Sequence, residues 1–266
     1  MGVVNVTPDS FSDGGRFLAP EAAIAHARFL VGQGAGILDI GGESTRPGSA
    51  GVPAAGQCER VLPVFEALRG CGAALSIDTS EPEVMVAALD CGAHIVNDVR
   101  AFSRPGALAA VAGRDCGLIA MHMQGEPGTM QDAPDYADVV AEVRDWLEAR
   151  CRQIEAVGIA AERIAIDPGF GFGKTHAHNL RLLAHLGRFT DTGRPVAVGL
   201  SRKSTLGAVS GRPLTERDTV SAAASLLAVQ SGARVVRVHD VGATRDALSI
   251  LQSVREMAGG DAPAGR

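Results

Sequence analysis

The chain has 266 residues, a length that fits one α/β barrel domain better than two small domains. A net charge of −5 argues against nonspecific nucleic-acid binding, and an aromatic content of 4% leaves few residues for base stacking. The five cysteines form no C-x-x-C pair, which argues against a disulfide framework or a zinc ribbon. Because the sequence shows no signal peptide and no apolar run of membrane length, we expect a cytoplasmic protein.

Eight short apolar runs follow one another along the chain, and each leads into residues that can bind or react. The runs are Gly2–Val6, Ile37–Ile40, Ala73–Ile77, His94–Val96, Leu118–Met121, Ile164–Ile166, Val196–Gly199 and Val235–Val238. Near-continuous Val, Ile and Leu runs are typical of buried parallel strands. Segments with helical periodicity lie between them, and the spacing of Ser80 with Glu83 and of Thr215 with Asp218 predicts capping boxes that begin helices.

This alternation predicts a (β/α)8 barrel, a TIM barrel, over residues 1–258, with residues 259–266 as a flexible tail. An open, doubly wound sheet is the alternative. In such folds the reacting groups lie beyond the carboxyl ends of the strands, so we expect one site there. Because Met1 directly precedes the first run, we expect either that a leading segment covering the amino-terminal mouth is missing or that the true start lies upstream.

Two aspartates, Asp78 and Asp167, directly follow apolar runs and are expected to point into the predicted ring of strands. A buried carboxylate needs a partner to offset its desolvation. Lys203, Arg237 or a ligand with amide and amine donors, such as a 2-amino-4-oxopyrimidine edge, would meet that need, and a purely structural ion pair is the alternative. Asn97 is expected either to bind the same ring or to hold its own loop.

Lysine is rare in this chain: among 25 basic residues only Lys174 and Lys203 are lysines, and both lie just beyond a predicted strand. The preference for arginine favours a role for Lys203 that needs a compact ammonium. For Lys174, chance explains the lysine as well as a functional role does. We expect the glycines of Gly169–Gly173 to let the backbone pass close to a flat ligand. A P-loop is excluded because it requires glycine at the position of Pro168.

The last predicted strand carries Arg237 and His239 two residues apart, a spacing that points both side chains to one side. With Asn5 and Arg46 they would hold a polyanion such as a diphosphate, together with a hard cation. We interpret His122 as a structural residue at the end of its strand.

Eight stretches together resemble a known family. They are Asn5–Gly15, Asp39–Gly48, Ser76–Ser80, Asn97–Val99, Met121–Gly125, Asp167–Lys174, Ser201–Ser204 and Arg237–Asp240. Their motifs are similar to those of the dihydropteroate synthases, pterin-binding TIM-barrel enzymes of folate biosynthesis. The resemblance extends over most of the chain.

The resemblance implies that 4-aminobenzoate displaces diphosphate from 6-hydroxymethyl-7,8-dihydropterin diphosphate to give 7,8-dihydropteroate. It assigns catalysis to Asp78, Asp167 and Lys203. It assigns pterin binding to Asp78, Asn97, Met121, Asp167 and Lys203. It assigns diphosphate binding to Asn5, Thr45, Arg46, Arg237 and His239, and Mg²⁺ binding to Asn5. It assigns the aminobenzoate pocket to Pro47, Phe172 and Ser201. It also implies a homodimer and competition by sulfonamides. The alternatives are a methyl-transferring pterin or folate carrier and an inactive pterin-binding paralogue.

Overall fold

The computed structural model describes residues 1–6, 18–43, 51–126 and 128–260. The strands are β1 (Gly2–Asn5), β2 (Ile37–Gly41), β3 (Ala74–Asp78), β4 (Ile95–Asp98), β5 (Gly117–Met121), β6 (Ile164–Asp167), β7 (Ala197–Val198) and β8 (Val235–Val236). The helices are α1 (Leu18–Gly32), α2 (Ala54–Leu68), α3 (Pro82–Asp90), α4 (Ala107–Val111), α5 (Val139–Glu155), α6 (His176–Ala184), α7 (Gly187–Thr190), α8 (Ser204–Ser210), α9 (Asp218–Gln230) and α10 (Val241–Gly260). Each of the eight predicted apolar runs therefore contains or overlaps a strand.

The strands pair in sequence order and in parallel. The first six strands form one sheet, β7 pairs with β8, and single parallel bridges from Ile166 to Val196 and from Gly2 to Val238 link the two sheets on both sides. Backbone hydrogen bonds of 3.0 Å from Val3 N to Val238 O and 2.9 Å from Val238 N to Met1 O strengthen the second link. This sequential parallel order agrees with the predicted eight-unit α/β architecture and not with the doubly wound alternative.

The main hydrophobic core joins the strand side chains to the inner faces of the helices, and residues such as Leu38, Ile77 and Val96 are fully buried in it. A second, small cluster of Val99, Met121, Met130 and Phe172 lies apart from that core, on segments that follow the carboxyl ends of β4, β5 and β6. Among the described helices, none combines the length and apolar character that a membrane span requires.

Two local predictions about helix termini are wrong. Ser80 does not cap α3, because its hydroxyl donates instead to the Asp98 carboxylate. Thr215 lies in a short 3-10 turn before α9 and makes no cap there. A capping box does begin α6, where Thr175 and His178 satisfy each other's backbone amides. The last helix also extends two residues into the predicted tail, and residues 261–266 lie outside the described chain.

Candidate active site

One row of paired residues crosses the carboxyl ends of the first four strands. Asn5 pairs with Gly41, Gly41 with Asp78, and Asp78 with Asn97. Paired residues on neighbouring strands point to the same side of a sheet, so Asn5, Asp78 and Asn97 project from one level. Gly41 keeps the space between them open, since a Cβ there would lie 3.5 Å from the Asp78 Cβ. Three predicted site residues are thus brought together.

The guanidinium of Arg237 links two buried carboxylates at this level. Its Nε lies 2.5 Å from Asp39 Oδ2 and its Nη2 lies 2.7 Å from Asp78 Oδ2. Asp39 also accepts from Ser76 Oγ at 2.6 Å and from Asn97 Nδ2 at 3.0 Å. The prediction that Arg237 partners a buried aspartate is confirmed for Asp78. Asp39 itself was missed, although a charged residue inside an apolar run is a signal that it has buried partners.

The Asp78 carboxylate has a second oxygen, Oδ1, besides the Oδ2 that Arg237 contacts. Within the described residues, its Oδ1 is buried and makes no hydrogen bond. Burial raises the pKa of Asp78 to about 7, and the neighbouring Arg237 opposes this rise. Because a buried polar atom without a partner costs roughly 1–3 kcal/mol, the oxygen is well placed to accept a hydrogen bond from a ligand.

Asp167 ends β6 beside Met121 of β5, with which it pairs. Its Oδ1 accepts the backbone N–H of Gly169 at 2.7 Å. Burial raises the pKa of Asp167 to about 6, while the Gly169 hydrogen bond and Lys203 act in the opposite direction. The carboxylate therefore holds the start of its own loop with one oxygen.

Lys203 lies against an aromatic ring. Its Nζ is 4.0 Å from the centre of the Phe172 ring, a cation–π arrangement. Burial, followed by the positive charge of Arg237, lowers the pKa of Lys203 to about 8. Phe172 also packs with Met121 in the small apolar cluster. A cation and an apolar surface thus lie next to each other, an environment suited to a flat polar ring.

Two glycines between β6 and α6 are required by the packing of the loop itself. Gly169 and Gly173 have φ angles of +71° and +61°. A Cβ on Gly169 would lie 1.8 Å from His122 O, and one on Gly173 would lie 2.3 Å from Gln124 O. The lack of a side chain at these two glycines lets the loop pack on the chain that follows β5, and their approach to a flat ligand stays a prediction.

The other lysine has an internal position. Lys174 is 2% exposed, and its Nζ lies 3.0 Å from Nδ1 of His122. Burial, and then Lys174, lower the pKa of His122 to about 3, so the imidazole is neutral. His122 also packs edge-on against Trp146. Its interpretation as a structural residue at a strand end agrees with these contacts.

Ser201 and His239, which the sequence placed in different subsites, are in contact. The Ser201 Oγ lies 2.9 Å from His239 Nδ1 and accepts the His239 backbone N–H at 3.2 Å. The serine thus orients the imidazole. The other predicted loop residues, Thr45, Arg46 and Pro47, lie outside the described residues.

The part of the chain that is described contains no cluster of three or more His, Cys, Asp or Glu side chains able to hold a metal ion. Asn5 contributes one amide oxygen at the level of Asp78. Mg²⁺ commonly takes one or two protein oxygens together with substrate phosphates and water. The residues present therefore fit a cation that binds together with a phosphate ligand, and not a cation held by protein groups alone.

Comparisons with known proteins show the family of this chain. The sequence profile of the family described as pterin binding enzyme matches residues 1–239. The dihydropteroate synthase of Escherichia coli (strain K12) is 46% identical over 254 residues, which cover 95% of this chain and 90% of that protein. The structure of Xanthomonas albilineans dihydropteroate synthase with 4-aminobenzoic acid has a TM-score of 0.91 and 52% identity, and covers 96% of this chain and 92% of that one. The structure of Burkholderia cenocepacia dihydropteroate synthase complexed with 7,8-dihydropteroate has a TM-score of 0.89 and 50% identity. The match covers 97% of this chain and 92% of that one.

Proposed function

Since the chain belongs to the dihydropteroate synthase family of pterin-binding enzymes, we propose that it condenses 6-hydroxymethyl-7,8-dihydropterin diphosphate with 4-aminobenzoate. The products are 7,8-dihydropteroate and diphosphate, so the protein is a transferase that moves an alkyl group to an arylamine. The observation that carries the proposal is the unpartnered, buried Oδ1 of Asp78 beside Arg237, near a lysine stacked on an aromatic ring.

The pterin occupies the space bounded by the buried carboxylates and the apolar cluster. Its amino group and ring N–H donate to Asp78 and Asp167, and among the described residues Asp78 Oδ1 has no other hydrogen-bond partner. Asn97 fixes the polar edge through the Asp39 network. Lys203 and Met121 complete the pocket, one with its charge and the other with apolar surface.

The diphosphate lies toward the side chains of Asn5, Arg237 and His239, with Thr45 and Arg46 from the second loop. Arg237 uses Nε and Nη2 for carboxylates, which leaves Nη1 to donate to a phosphate oxygen. Asn5 would hold Mg²⁺ through its amide oxygen, and the bound cation would neutralise charge on the diphosphate.

The reaction needs help mainly at its leaving group. The arylamine nitrogen forms a bond to the pterin CH2 carbon while the bond from that carbon to the diphosphate oxygen breaks, and the nitrogen then loses a proton. Cationic donors aimed at the departing oxygens lower the barrier, each by roughly 3–4 kcal/mol if they act like single oxyanion donors. Asp78 or Asp167 stabilises positive charge that spreads into the pterin, which favours a dissociative route.

The 4-aminobenzoate lies beside Phe172 and Ser201, with Pro47 of the second loop as a further wall. Phe172 offers an apolar face, and Ser201 offers a hydroxyl that also contacts His239. Sulfonamides have a similar arylamine shape, so we expect them to compete for this subsite.

The decisive experiment measures release of diphosphate from the pterin substrate. We expect release that requires both 4-aminobenzoate and Mg²⁺ and yields dihydropteroate in equal amount. Binding of the pterin without any diphosphate release would favour an inactive paralogue. Transfer of a methyl group from a folate, without use of 4-aminobenzoate, would favour the carrier alternative.

We also infer a cytoplasmic homodimer. The helix α10 has an exposed apolar row of Ile250, Val254 and Met257, with exposed fractions of 68%, 59% and 74%. Their spacing places them on one helix face, and a row of this kind is unusual on a monomer. All five cysteines are free thiols, which fits a reducing compartment. A monomeric mass in analytical ultracentrifugation would contradict the dimer.

A further inference from the structure

A single ammonium group holds the loop between β6 and α6 from inside. The Nζ of Lys174 lies 3.0 Å from Gly169 O, 3.0 Å from Phe172 O and 3.0 Å from His122 Nδ1. A longer contact of 3.4 Å joins Nζ to His122 O, so the three hydrogens of the ammonium are shared among four acceptor atoms of three residues. None of the three partners carries a charge, because His122 is neutral. The lysine is therefore solvated by fixed dipoles of the protein.

Two of the carbonyls that Lys174 contacts, those of Gly169 and Phe172, belong to one tight turn. Phe172 N donates to Gly169 O at 3.1 Å, so Gly169 O accepts from both the turn and the ammonium. Phe172 carries the ring that lies against Lys203, and Gly169 N donates to the Asp167 carboxylate. The ammonium thus contacts the backbone of one residue that binds a site carboxylate and of another that carries a site ring.

An apolar residue of similar length would fill the same space, but Phe172 O would lose its ammonium donor and Gly169 O would keep only the turn N–H of Phe172. Buried carbonyl groups are nearly always hydrogen-bonded, so the turn would have to rearrange to find other donors or water. Such a rearrangement would move Phe172 away from Lys203 and release the constraint on Asp167. The burial of Lys174 is itself costly, since burial lowers its pKa to about 7.

We propose that Lys174 is a positioning residue of the pterin site, which holds Asp167 and Phe172 in the geometry that receives the pterin ring. The inference rests on the proposed function and deepens it. It assigns to Lys174 no contact with substrate. Its effect is transmitted through the backbone of Gly169 and Phe172 alone.

The test compares Lys174→Met with Tyr136→Phe. The Tyr136 hydroxyl donates to Gly173 O of the same loop at 3.0 Å, whereas Lys174 donates to Gly169 O and Phe172 O. Titration calorimetry with the pterin diphosphate, well below each unfolding temperature, should give an affinity for Lys174→Met that is at least about tenfold weaker than for Tyr136→Phe. The 4-aminobenzoate KM and kcat of each variant complete the comparison, and kcat should also fall only for Lys174→Met.

A folded Lys174→Met protein that binds the pterin as tightly as Tyr136→Phe would overturn the positioning role while leaving the proposed function intact. If unmodified protein does not bind the pterin diphosphate, the proposed function and this inference both fail. Should Lys174→Met not fold, Lys174→Gln replaces it, since the amide keeps two donors for the carbonyls. It should then show an intermediate affinity, and unmodified affinity would again count against the role.

Discussion

Arg237 and Asp39 form an ion pair between residues that are 198 positions apart, with Nε 2.5 Å from Oδ2. Asp39 is fully buried, and the guanidinium also reaches Asp78, so the positive charge just beyond the last strand compensates negative charges of the second and third strands. The pair sets the position of the carboxylate that we expect to bind the pterin.

Asp39→Asn should therefore destabilise the protein strongly. Among the described residues, Arg237 then keeps Asp78 as its ion-pair partner. Breaking a buried pair costs about 3–5 kcal/mol, and the remaining partner reduces the loss. Asp90→Asn is the matched control, because Asp90 pairs with Arg114 at 2.6 Å on the surface and such pairs contribute at most about 1 kcal/mol. Urea unfolding measures both, and equal losses would contradict the structural role of Asp39.

Lys203→Ala should abolish diphosphate release, because the site loses the cation that lies against Phe172 and faces the carboxylates. Lys203→Met keeps most of the side-chain volume and removes only the charge, so it separates the two contributions and should be equally inactive. Steady-state rates together with unfolding temperatures give the answer. Near-normal turnover by the methionine variant would refute a role for the charge.

Asp167→Asn should weaken pterin binding while preserving the loop. The amide oxygen can still accept the Gly169 N–H, but an amide cannot accept two ligand hydrogens as a carboxylate does. Losing a hydrogen bond to a charged group costs about 1.5–3 kcal/mol, or about 10- to 100-fold in affinity. Calorimetric titration with the pterin diphosphate measures the change. An unchanged affinity would mean that the pterin binds elsewhere.

The raised pKa of Asp78 predicts a pH dependence of stability in the ligand-free protein. Between its ordinary value of 3.8 and its value of about 7, the folded protein binds more protons at this group than the unfolded chain does. The contribution of Asp78 to the free energy of unfolding therefore falls as pH rises through that interval. Asp78→Asn should reduce the decline of the unfolding free energy with pH. Asp132→Asn, which replaces an exposed carboxylate, should leave that decline unchanged. Urea unfolding across the interval measures the slopes, and an unchanged slope in Asp78→Asn would contradict this assignment.

Gly169→Ala and Gly113→Ala form a pair that separates backbone strain from steric clash. The two glycines have φ angles of +71° and +72°, so the conformational strain on alanine is similar. At Gly113 a Cβ meets no atom within 4 Å, and the loss should be about 1–2 kcal/mol. At Gly169 it meets His122 O at 1.8 Å, so the loss of unfolding free energy should be clearly larger. Equal losses in urea unfolding would show that the loop moves away without cost.

The sequence alone predicted the eight strands, their parallel arrangement and the concentration of polar residues beyond them. These features depend on local patterns: apolar runs define buried strands, and the turns after them carry the polar groups. The similar motifs also identified Asp78, Asp167 and Lys203 as residues of one site. The shortness of β7 and β8 was not predicted, and the predicted caps at Ser80 and Thr215 were wrong. For Ser80 the reason is a competing partner, the Asp98 carboxylate, which spacing along the chain does not reveal.

Only the tertiary structure determined which donor pairs with which acceptor. Arg237 could have paired with either candidate aspartate, and it binds Asp78 together with Asp39, a residue that no motif singled out as a partner. Lys174 could have faced a ligand, and it is enclosed by carbonyls and an imidazole of its own fold. A hydrogen bond or ion pair depends on distances between side chains from distant parts of the chain. Those distances exist only once the strands have assembled, whereas periodicity is already present in the linear sequence.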